Sequence, residues 1–505
     1  MTSLPSTTIG VVGAGTMGRG IMQLFAQAGH TVRCHDTRPG AATEAVQAVA
    51  GQLARLVEKG RLSEAGYQAA CARMQAVESL TALAGCEVVI EAIVEDMGAK
   101  QALFRELEGI VGEDAILATN TSSLVVSEMA AACTRAHRVA GLHFFNPVPL
   151  MKVAEVIAAV RTAPAVVARL KALTESTGHR AVVAADQPGF LINHAGRGLY
   201  TEGLRIVEEQ VATPADVDDV LRDAMGFRMG PFELLDLTGL DVSSRVMASI
   251  YEQFQQEPRF RPSSLVPPRV AAGLFGRKTG EGWYRYEDGK KVMPPVRPVP
   301  PLPAGLAVWV DPEAAGASDL RALAAAAGAR VVEAAAQAGL LVVQPWGQDA
   351  TATAVQRGLD ATRCVAVDPL PPFSRRRTLM LTCATAPEAR DAAHALLASD
   401  GTPVTVINDS PGYIAQRVMA TIVNIAANIA QRGIASVADL EDAVQLGLGY
   451  PHGPLGWGDR LGAARILAIL QAQRAATGDP RYRPSAWLVR RVALGLPLTT
   501  PEAQR

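Results

Sequence analysis

A glycine-rich turn near the N-terminus constrains the fold of this chain more than any other feature. The apolar run Thr8–Val12 predicts a β-strand, the sequence GAGTMG at 13–18 follows it directly, and a helical pattern extends from 17 to 27. A second predicted strand, Thr31–His35, leads into Asp36. A strand, a GxGxxG turn, a helix and an acidic residue after the next strand are typical of a dinucleotide-binding βαβ unit.

The residues of this turn have separate predicted roles. Gly13 permits the tight turn, Gly15 lets the backbone approach a pyrophosphate, and Gly18 lets the helix pack closely on the strand. The predicted helix begins at Met17, and its unpaired N–H groups would face the phosphates. The alternative interpretation is a structural turn that binds no ligand.

Asp36 predicts which dinucleotide binds. Its carboxylate would accept hydrogen bonds from the adenosine ribose and repel a 2′-phosphate, which favours NAD. Arg38 lies two residues further on and could tolerate a 2′-phosphate, so NADP stays open as the alternative.

Strands and helices continue to alternate beyond this unit. The pattern predicts helices at about 41–59, 63–74 and 99–111, and strands at 86–94, 115–119 and 138–142. Such alternation indicates a doubly wound, Rossmann-type parallel sheet, in which ligands bind beyond the carboxyl ends of the strands. The residues expected at those ends are Gly13, Asp36, Glu95, Ser122 and His143.

His143 is the candidate general base. It follows the last predicted parallel strand, and a rigid segment with Pro147 and Pro149 comes after it. Glu155 is a lone carboxylate in the apolar run 152–160, and the returning chain could bring it beside the imidazole. A histidine among aromatic residues is more often structural, so the convergence of polar strand ends is what favours the catalytic interpretation.

The remainder of the chain predicts four further segments. After the first α/β domain the pattern becomes helical, then proline-rich, then α/β again and finally helical. The predicted domains are 1–186 (dinucleotide-binding), 187–290 (helical), 291–304 (linker), 305–405 (reduced α/β) and 406–500 (second helical).

The second helical segment repeats the first. The sequence at 186–190, DQPGF, recurs at 409–413 as DSPGY, and RFRPS at 259–263 recurs as RYRPS at 481–485. The region 305–405 has no GxGxxG, which predicts that it binds no dinucleotide. The repeat aligns His143 with Asp368, Glu155 with Thr378 and Asn193 with Gln416, so the second copy is predicted to be structural rather than catalytic.

Composition excludes several classes of protein. The formal net charge of −1 argues against a nucleic-acid surface, and no apolar stretch reaches the roughly 20 residues that span a bilayer. Residues 1–6 lack the features of a signal peptide. The six cysteines form neither a CxxC nor a His/Cys cluster, so we expect neither disulfides nor a metal, in a cytoplasmic protein.

Taken together, the motifs resemble the 3-hydroxyacyl-CoA dehydrogenase family. Over 7–286 the matching motifs are GxGxMG, EAIVED, TNTSS, HFFNPVP, PGFxxN and GRKTG. The duplicated form resembles the long bacterial 3-hydroxybutyryl- or 3-hydroxyadipyl-CoA dehydrogenases, the latter of phenylacetate catabolism. The resemblance implies an enzyme that transfers hydride between NAD and an acyl-CoA substrate, as a monomer or a homodimer.

The resemblance also implies roles for individual residues. His143 matches the catalytic base, Glu155 the acid that orients it, and Ser122 and Asn193 the groups that bind the substrate's 3-oxygen or the cofactor. Arg55 and Lys59 could contact the CoA phosphates, although surface basic residues usually only meet solvent. The cofactor-binding positions implied are Gly13, Gly15, Thr16, Met17, Gly18, Asp36, Glu95, Lys100, Ser122, Asn146 and Lys278.

Two competing interpretations remain. One is an NAD-dependent β-hydroxyacid dehydrogenase that uses a lysine base on a non-CoA acid, and the other is a non-catalytic NAD-binding scaffold. The chain opens on the dinucleotide fold, so we expect no fused enoyl-CoA hydratase. The acyl chain, short or dicarboxylic, is left open.

Overall fold

A computed structural model describes residues 6–503, and the first five residues, where we looked for a signal peptide, lie outside it. The described chain divides into two compact units. The first comprises the residues up to His194 together with Arg432–Leu448, and the second comprises Ala195–Gln431 together with the residues from Gly449 onward. The domain boundaries expected from the sequence remain predictions.

The first unit is built on an eight-stranded sheet. Its strands are β1 Thr8–Val12, β2 Thr31–His35, β3 Met74–Ala76, β4 Val88–Glu91, β5 Ile116–Thr119, β6 Val139–Phe144, β7 Val153–Ala158 and β8 Arg180–Ala185. Their order in the sheet is β3-β2-β1-β4-β5-β6-β7-β8. The first six follow the Rossmann order, so the predicted doubly wound fold is confirmed. The sheet departs from an all-parallel one at β7, which runs antiparallel to β6.

Helices cover both faces of this sheet. They are α1 Thr16–Gln27, α2 Ala41–Glu58, α3 Glu64–Arg73, α4 Met97–Ile110, α5 Val126–Ala130, α6 Pro164–Glu175 and α7 Ile192–Ala195, with 3-10 turns at Leu80–Leu83 and Ala136–Arg138. Local sequence explains where two of these helices begin. The Ser63 hydroxyl caps α3 by accepting from the Gly66 N–H at 3.1 Å, and the Asp96 carboxylate caps α4 by accepting from the Ala99 N–H at 2.8 Å.

The apolar residues of the strands divide between two cores. Ile9 and Val11 of β1 pack into one cluster with the helices of one face, whereas Val12 packs into a second cluster on the other face. The two-residue alternation of a strand produces this division, and it explains why the central strands are apolar throughout.

The second unit contains a helical segment followed by a second sheet. The helices are α8 Arg197–Glu208, α9 Pro214–Asp219, α10 Pro231–Thr238, α11 Leu240–Gln253 and α12 Val266–Ala271, with a π-helical turn at Val220–Ala224 and 3-10 turns at Pro258–Phe260 and Arg277–Thr279. A small hairpin, β9 Tyr286–Glu287 and β10 Lys290–Lys291, ends the segment.

The second sheet is a reduced version of the first. Its strands are β11 Ala307–Val310, β12 Arg330–Val331, β13 Leu340–Val343, β14 Cys364–Val367, β15 Arg377–Leu381 and β16 Val404–Ile407, in the order β12-β11-β13-β14-β15-β16. Its helices are α13 Ala317–Ala326, α14 Ala350–Gln356 and α15 Pro387–Leu397, with a 3-10 turn at Ala335–Gln337. Strand β15 runs antiparallel to β14, just as β7 does to β6.

The second helical copy contributes helices to both units. It comprises α16 Ala415–Gln431, α17 Val437–Leu448, α18 Pro454–Leu461, α19 Ala463–Thr477 and α20 Ala486–Leu494, with a 3-10 turn at Pro480–Tyr482. Helix α18 repeats α10 at the sequence offset between the two copies. Helix α17 belongs to the first unit, where Asp439 and Asp442 bind Arg180 of the edge strand β8 at 2.6 and 2.8 Å. The edge of the first sheet is thereby covered by a helix from the repeat.

Candidate active site

The register of β6 and β7 brings the candidate base and its acid together. His143 and Glu155 are directly opposite each other in this antiparallel pair, so both side chains leave the same face of the sheet. His143 Nδ1 lies 2.6 Å from Glu155 Oε2. A long-range pair of residues therefore becomes a close contact through strand pairing alone.

Glu155 is fixed on both sides. Its second oxygen, Oε1, accepts hydrogen bonds from the N–H groups of Leu191 and Ile192, at 2.9 and 2.8 Å, where α7 begins. The side chain is fully buried, and three donors satisfy it. Because the carboxylate only accepts, Nδ1 of His143 must donate the proton, which leaves Nε2 as an acceptor in the neutral imidazole. Nε2 has no hydrogen-bond partner among residues 6–503.

The glycine turn leaves room for a dinucleotide. Gly13 has φ of 108°, and a Cβ there would lie 2.4 Å from the carbonyl oxygen of Ala92. A Cβ on Gly18 would lie 1.8 Å from the Gly13 carbonyl oxygen, so α1 packs against the turn as closely as its backbone allows. A Cβ on Gly15 would meet nothing within 4 Å, so the space in front of the helix is open. These positions fit a pyrophosphate on the amino end of α1.

Asp36 is held at the end of β2. Its two oxygens accept from the N–H groups of Ala14, at 2.7 Å, and Arg38, at 2.9 Å. The Arg38 guanidinium binds Glu44 at 3.1 and 2.6 Å, and this pairing raises the pKa of Arg38. The arginine that could have met a 2′-phosphate is therefore paired with a carboxylate.

A hydrogen-bonded group around Glu95 lies at the ends of β4 and β5. Glu95 Oε1 accepts from the Ser122 N–H at 3.2 Å and from the Ser123 hydroxyl at 3.1 Å, and it also accepts from the Thr121 hydroxyl. Lys100 Nζ lies 3.2 Å from the other oxygen of Glu95. Glu95 and the loop that contains Ser122 are therefore joined into one hydrogen-bonded group.

Comparison with known proteins identifies the family. The N-terminal part, 8–187, matches the model of the 3-hydroxyacyl-CoA dehydrogenase NAD-binding domain, and 189–286 together with 412–501 match the C-terminal domain of the same family. The chain belongs to the 3-hydroxyacyl-CoA dehydrogenase family. Its cofactor is NAD, and the two matches to the C-terminal domain confirm the internal duplication.

Individual relatives agree with this assignment. The chain is 35% identical over 487 residues to a 3-hydroxyadipyl-CoA dehydrogenase of Escherichia coli K12, covering 96% of this chain and 98% of that protein. It is 37% identical over 284 residues to the mitochondrial hydroxyacyl-coenzyme A dehydrogenase of Sus scrofa, covering 55% of this chain and 90% of that protein. The crystal structure of a 3-hydroxybutyryl-CoA dehydrogenase from Escherichia coli K12 superposes with a TM-score of 0.86 at 35% identity, covering 97% of this chain and 99% of that one.

The other predicted site residues of this dehydrogenase lie in varied surroundings. Thr16 is exposed and Met17 half-buried in the first turn of α1, and Asn193 is half-buried on α7. Asn146 is exposed and precedes the cis bond to Pro147. Their roles remain predictions.

The basic candidates are dispersed. Arg55 and Lys59 are exposed at the end of α2. Lys278 belongs to the second unit, where it forms an ion pair with Asp241. Lys100 is only 1% exposed and is paired with two carboxylates, Glu95 and Glu91.

Sequence reasoning missed two residues of the site. Glu91, at the end of β4, is fully buried, and Asn120 accepts from the Phe144 N–H at 2.8 Å, which ties the loop after β5 to the end of β6. A carboxylate that ends the otherwise apolar run VVIE was the available signal for Glu91.

The second sheet contains a different group at the matching position. Asp368 Oδ1 accepts from Gln416 Nε2 at 2.8 Å, and Gln416 Oε1 accepts from the Gly347 N–H at 2.7 Å. Burial raises the pKa of the Asp368 carboxyl to about 7. A carboxyl–amide pair therefore occupies the positions of His143 and Asn193, while Thr378 stands where the first copy has Glu155.

Two further observations concern the residues that the structure describes. No helix within 6–503 is long and apolar enough to cross a bilayer. Over that span of the chain, no three His, Cys, Asp or Glu side chains are grouped so that they could hold a metal ion.

Proposed function

We propose that this chain interconverts (S)-3-hydroxyacyl-CoA and 3-oxoacyl-CoA with NAD, and that His143 is its general acid and base. The observation that supports this most directly is the 2.6 Å contact between His143 Nδ1 and Glu155 Oε2. It assigns the proton of the neutral ring to Nδ1 and leaves Nε2 able to accept the proton of a substrate hydroxyl.

The mechanism assigns one task to each side chain. When bound, NAD accepts the hydride from C3 of the substrate. His143 Nε2 removes the 3-hydroxyl proton in the oxidative direction and returns it in the reductive direction. Glu155 fixes the orientation and the tautomer of the ring through its contact with Nδ1. Ser122 and Asn193 would bind the 3-oxygen as its charge changes.

We propose a CoA thioester as the substrate. Two of the relatives named above are a 3-hydroxyadipyl-CoA dehydrogenase and a 3-hydroxybutyryl-CoA dehydrogenase, which supports an acyl chain that is short or dicarboxylic. A place in phenylacetate or fatty-acid catabolism is a further part of this proposal. The buried, doubly paired Lys100 is unsuited to act as the free lysine base of a β-hydroxyacid dehydrogenase.

The test compares three substrates under NADH. The wild-type protein is assayed with acetoacetyl-CoA and with 3-oxoadipyl-CoA, and free acetoacetate is the control without CoA. We expect turnover of at least one thioester and none of the free acid. Turnover of acetoacetate at the rate of the thioesters would favour the β-hydroxyacid dehydrogenase, and NADH binding without any turnover would favour the scaffold.

His143→Gln tests the base. We expect kcat to fall by roughly 10²–10⁴, since this is the contribution of a positioned acid or base. The Kd for NADH, measured by fluorescence, should stay close to that of the wild type. Unchanged kcat in this variant would exclude His143 from the mechanism.

A further inference from the structure

A large cavity lies within the second unit, beside the proline-rich linker that follows the first helical copy. Its volume is about 1010 Å³, at the upper end of the range of protein sites that bind small molecules. Three segments line it: the end of α8 with the loop to α9, the linker at 291–299, and the edge strand β16 with the end of α15. All of these segments belong to the second unit, whereas His143 and Glu155 belong to the first.

Much of the wall is apolar, and part of it is open to solvent. The apolar side chains that line the cavity include Val207, Val211, Val296, Val299, Val404 and Val406. On the linker, Met293, Val296 and Val299 are 61%, 91% and 56% exposed. Neighbouring apolar side chains that remain in water along a concave surface are typical of a ligand site, because an apolar ligand would cover them.

The other charged side chains of the wall already have partners inside the protein. Asp216 accepts from the Thr213 hydroxyl at 2.6 Å in the cap of α9. Asp219 lies 3.4 Å from Arg376, and Lys291 forms an ion pair with a glutamate of α10. These charges are therefore compensated without a ligand.

Two groups of the wall lack such partners. His394 of α15 is only 4% exposed, yet its ring nitrogens meet no hydrogen-bond partner within 6–503, and over the same span Arg297 of the linker forms no ion pair. Burial and then the charge of Arg297 lower the pKa of His394, so the two groups are close enough to interact. Asp391, three residues earlier on α15, is already paired with Arg390 at 2.8 Å. An anion that contacts both groups would accept a hydrogen bond from each.

We propose that this cavity binds an aliphatic carboxylic acid. The carboxylate accepts hydrogen bonds from the Arg297 guanidinium and the His394 imidazole, and the chain covers the exposed Val296 and Val299. The planar fork of an arginine matches the geometry of a carboxylate, and an apolar wall adds affinity only for a ligand that has a chain. The ligand is therefore an amphiphile rather than a simple anion, and this binding activity goes beyond the proposed reaction.

Isothermal titration calorimetry on the full chain tests both halves of the site. The probe is octanoate, and it is compared with acetate, which has the carboxylate without the chain, and with octanol, which has the chain without the charge. We expect octanoate to bind at least roughly tenfold more tightly than either, since a charge-assisted hydrogen bond and the burial of several methylenes are each worth that factor. Acetate or octanol binding as tightly as octanoate, or no binding of octanoate, would overturn the proposal.

Arg297→Gln and His394→Leu locate the binding. Arg297 is exposed, and leucine suits the buried position of His394, so both variants are expected to fold. Each should raise the octanoate Kd, by roughly tenfold for Arg297→Gln because the guanidinium–carboxylate contact is lost. A wild-type Kd in either variant would mean that octanoate binds elsewhere in the protein, and the proposal would be wrong.

Arg330→Gln is the matched control for loss of a surface arginine. Arg330 is exposed on β12, at the opposite edge of the same sheet, and does not line the cavity. The octanoate Kd should stay at the wild-type value in this variant, and a rise equal to that in Arg297→Gln would overturn the assignment to the cavity. The titration needs neither NAD nor an acyl-CoA, so its outcome is independent of the proposed reaction.

Discussion

Glu155 divides its two carboxylate oxygens between the imidazole of His143 and the backbone at the start of α7. A glutamine at 155 has one acceptor and one donor group, so it cannot serve both. If its oxygen faces Leu191 and Ile192, its NH₂ meets Nδ1 of His143 and forces the proton to Nε2. If it turns over, two buried N–H groups lose their acceptor.

We therefore expect Glu155→Gln to lower kcat for 3-hydroxyacyl-CoA oxidation by about 10²-fold or more, while NADH affinity is retained. Stopped-flow turnover and fluorescence titration measure the two quantities. A wild-type kcat in this variant would contradict the pairing.

We predict that cofactor selectivity depends on two carboxylates rather than one. Asp36, at the end of β2, is the predicted partner of the ribose, and Glu44 pairs with Arg38. We expect Asp36→Ala to lower the preference for NADH over NADPH by at least about tenfold, because the variant lacks the carboxylate that repels the 2′-phosphate of NADPH. In Asp36→Ala/Glu44→Gln, Arg38 is released to bind the phosphate, and the preference should fall further. The measurement is the ratio of kcat/KM for the two cofactors, and an equal ratio in the single and double variants would exclude a role for Glu44.

Sequence alone predicted the surroundings of residues that belong to local motifs. Gly13, Gly18 and Asp36 occupy a fixed order along one βαβ unit, so their surroundings follow from spacing. The contacts of Lys100 with Glu91 and Glu95 could not be predicted, since they depend on how a strand end, a loop and a helix meet in three dimensions.

The strands also divide into those that local sequence specifies and those that depend on contacts distant in sequence. β1 and β2 have the bounds expected from the sequence, because a turn with clear signals follows each. β3 and β8 were not predicted. β3 has three residues, and β8 is recognised as a strand by its pairing with β7, which local sequence does not specify. The prediction that Glu155 returns beside His143 depended on that reversal of direction between β6 and β7.

We expect Asp368, a buried residue at the end of β14, to make the free energy of unfolding depend on pH. Asp368 is buried there, and burial raises its pKa from 3.8 to about 7. A carboxyl whose folded pKa is raised stabilises the fold fully below its unfolded pKa, and this contribution is lost as the pH rises towards 7. At pH 8 ionisation of Asp368 costs up to roughly 4 kcal/mol.

Asp368→Asn removes this titration. We expect urea unfolding of the wild type to show a lower free energy of unfolding at pH 8 than at pH 5, with a smaller difference in the variant. Asp319→Asn, at an exposed aspartate of α13 in the same unit, is the control and should behave like the wild type. An equal pH dependence in Asp368→Asn and the wild type would show that Asp368 is not the titrating group.

Duplication adds contacts between the copies inside each unit. Ala185, which ends β8, donates its N–H to the Ile434 carbonyl of the second copy at 2.8 Å, and Asn408, just after β16, donates its N–H to the Val211 carbonyl of the first copy at 2.9 Å. The copies also meet within the second unit, where a Cβ on Gly198 of α8 would lie 3.1 Å from Cα of Ile422 in α16. The repeat therefore supplies packing surfaces that a single copy would lack, which fits its predicted structural role.

A buried ion pair joins the two copies in the second unit. Arg417 of α16 binds Glu202 of α8 at 2.7 Å, and both side chains are at most 1% exposed. Arg417 also binds Glu209 at 2.8 Å, and the Tyr482 hydroxyl donates to Glu202 at 2.8 Å. The repeat places His194 where the second copy has Arg417, and Ile425 where the first has Glu202, so the pairing is asymmetric and joins one copy to the other.

We expect Arg417→Met to lower the free energy of unfolding by roughly 3–5 kcal/mol, because the buried Glu202 would lose its close guanidinium and keep only the Tyr482 hydroxyl and Arg481, whose nearest nitrogen lies 3.8 Å away. Glu202→Gln/Arg417→Met removes both charges and should recover part of that loss. Urea unfolding of the two variants and the wild type measures this difference. Since the pair joins α8 to α16, a single variant as stable as the wild type would mean that this ion pair does not contribute to holding the two copies together.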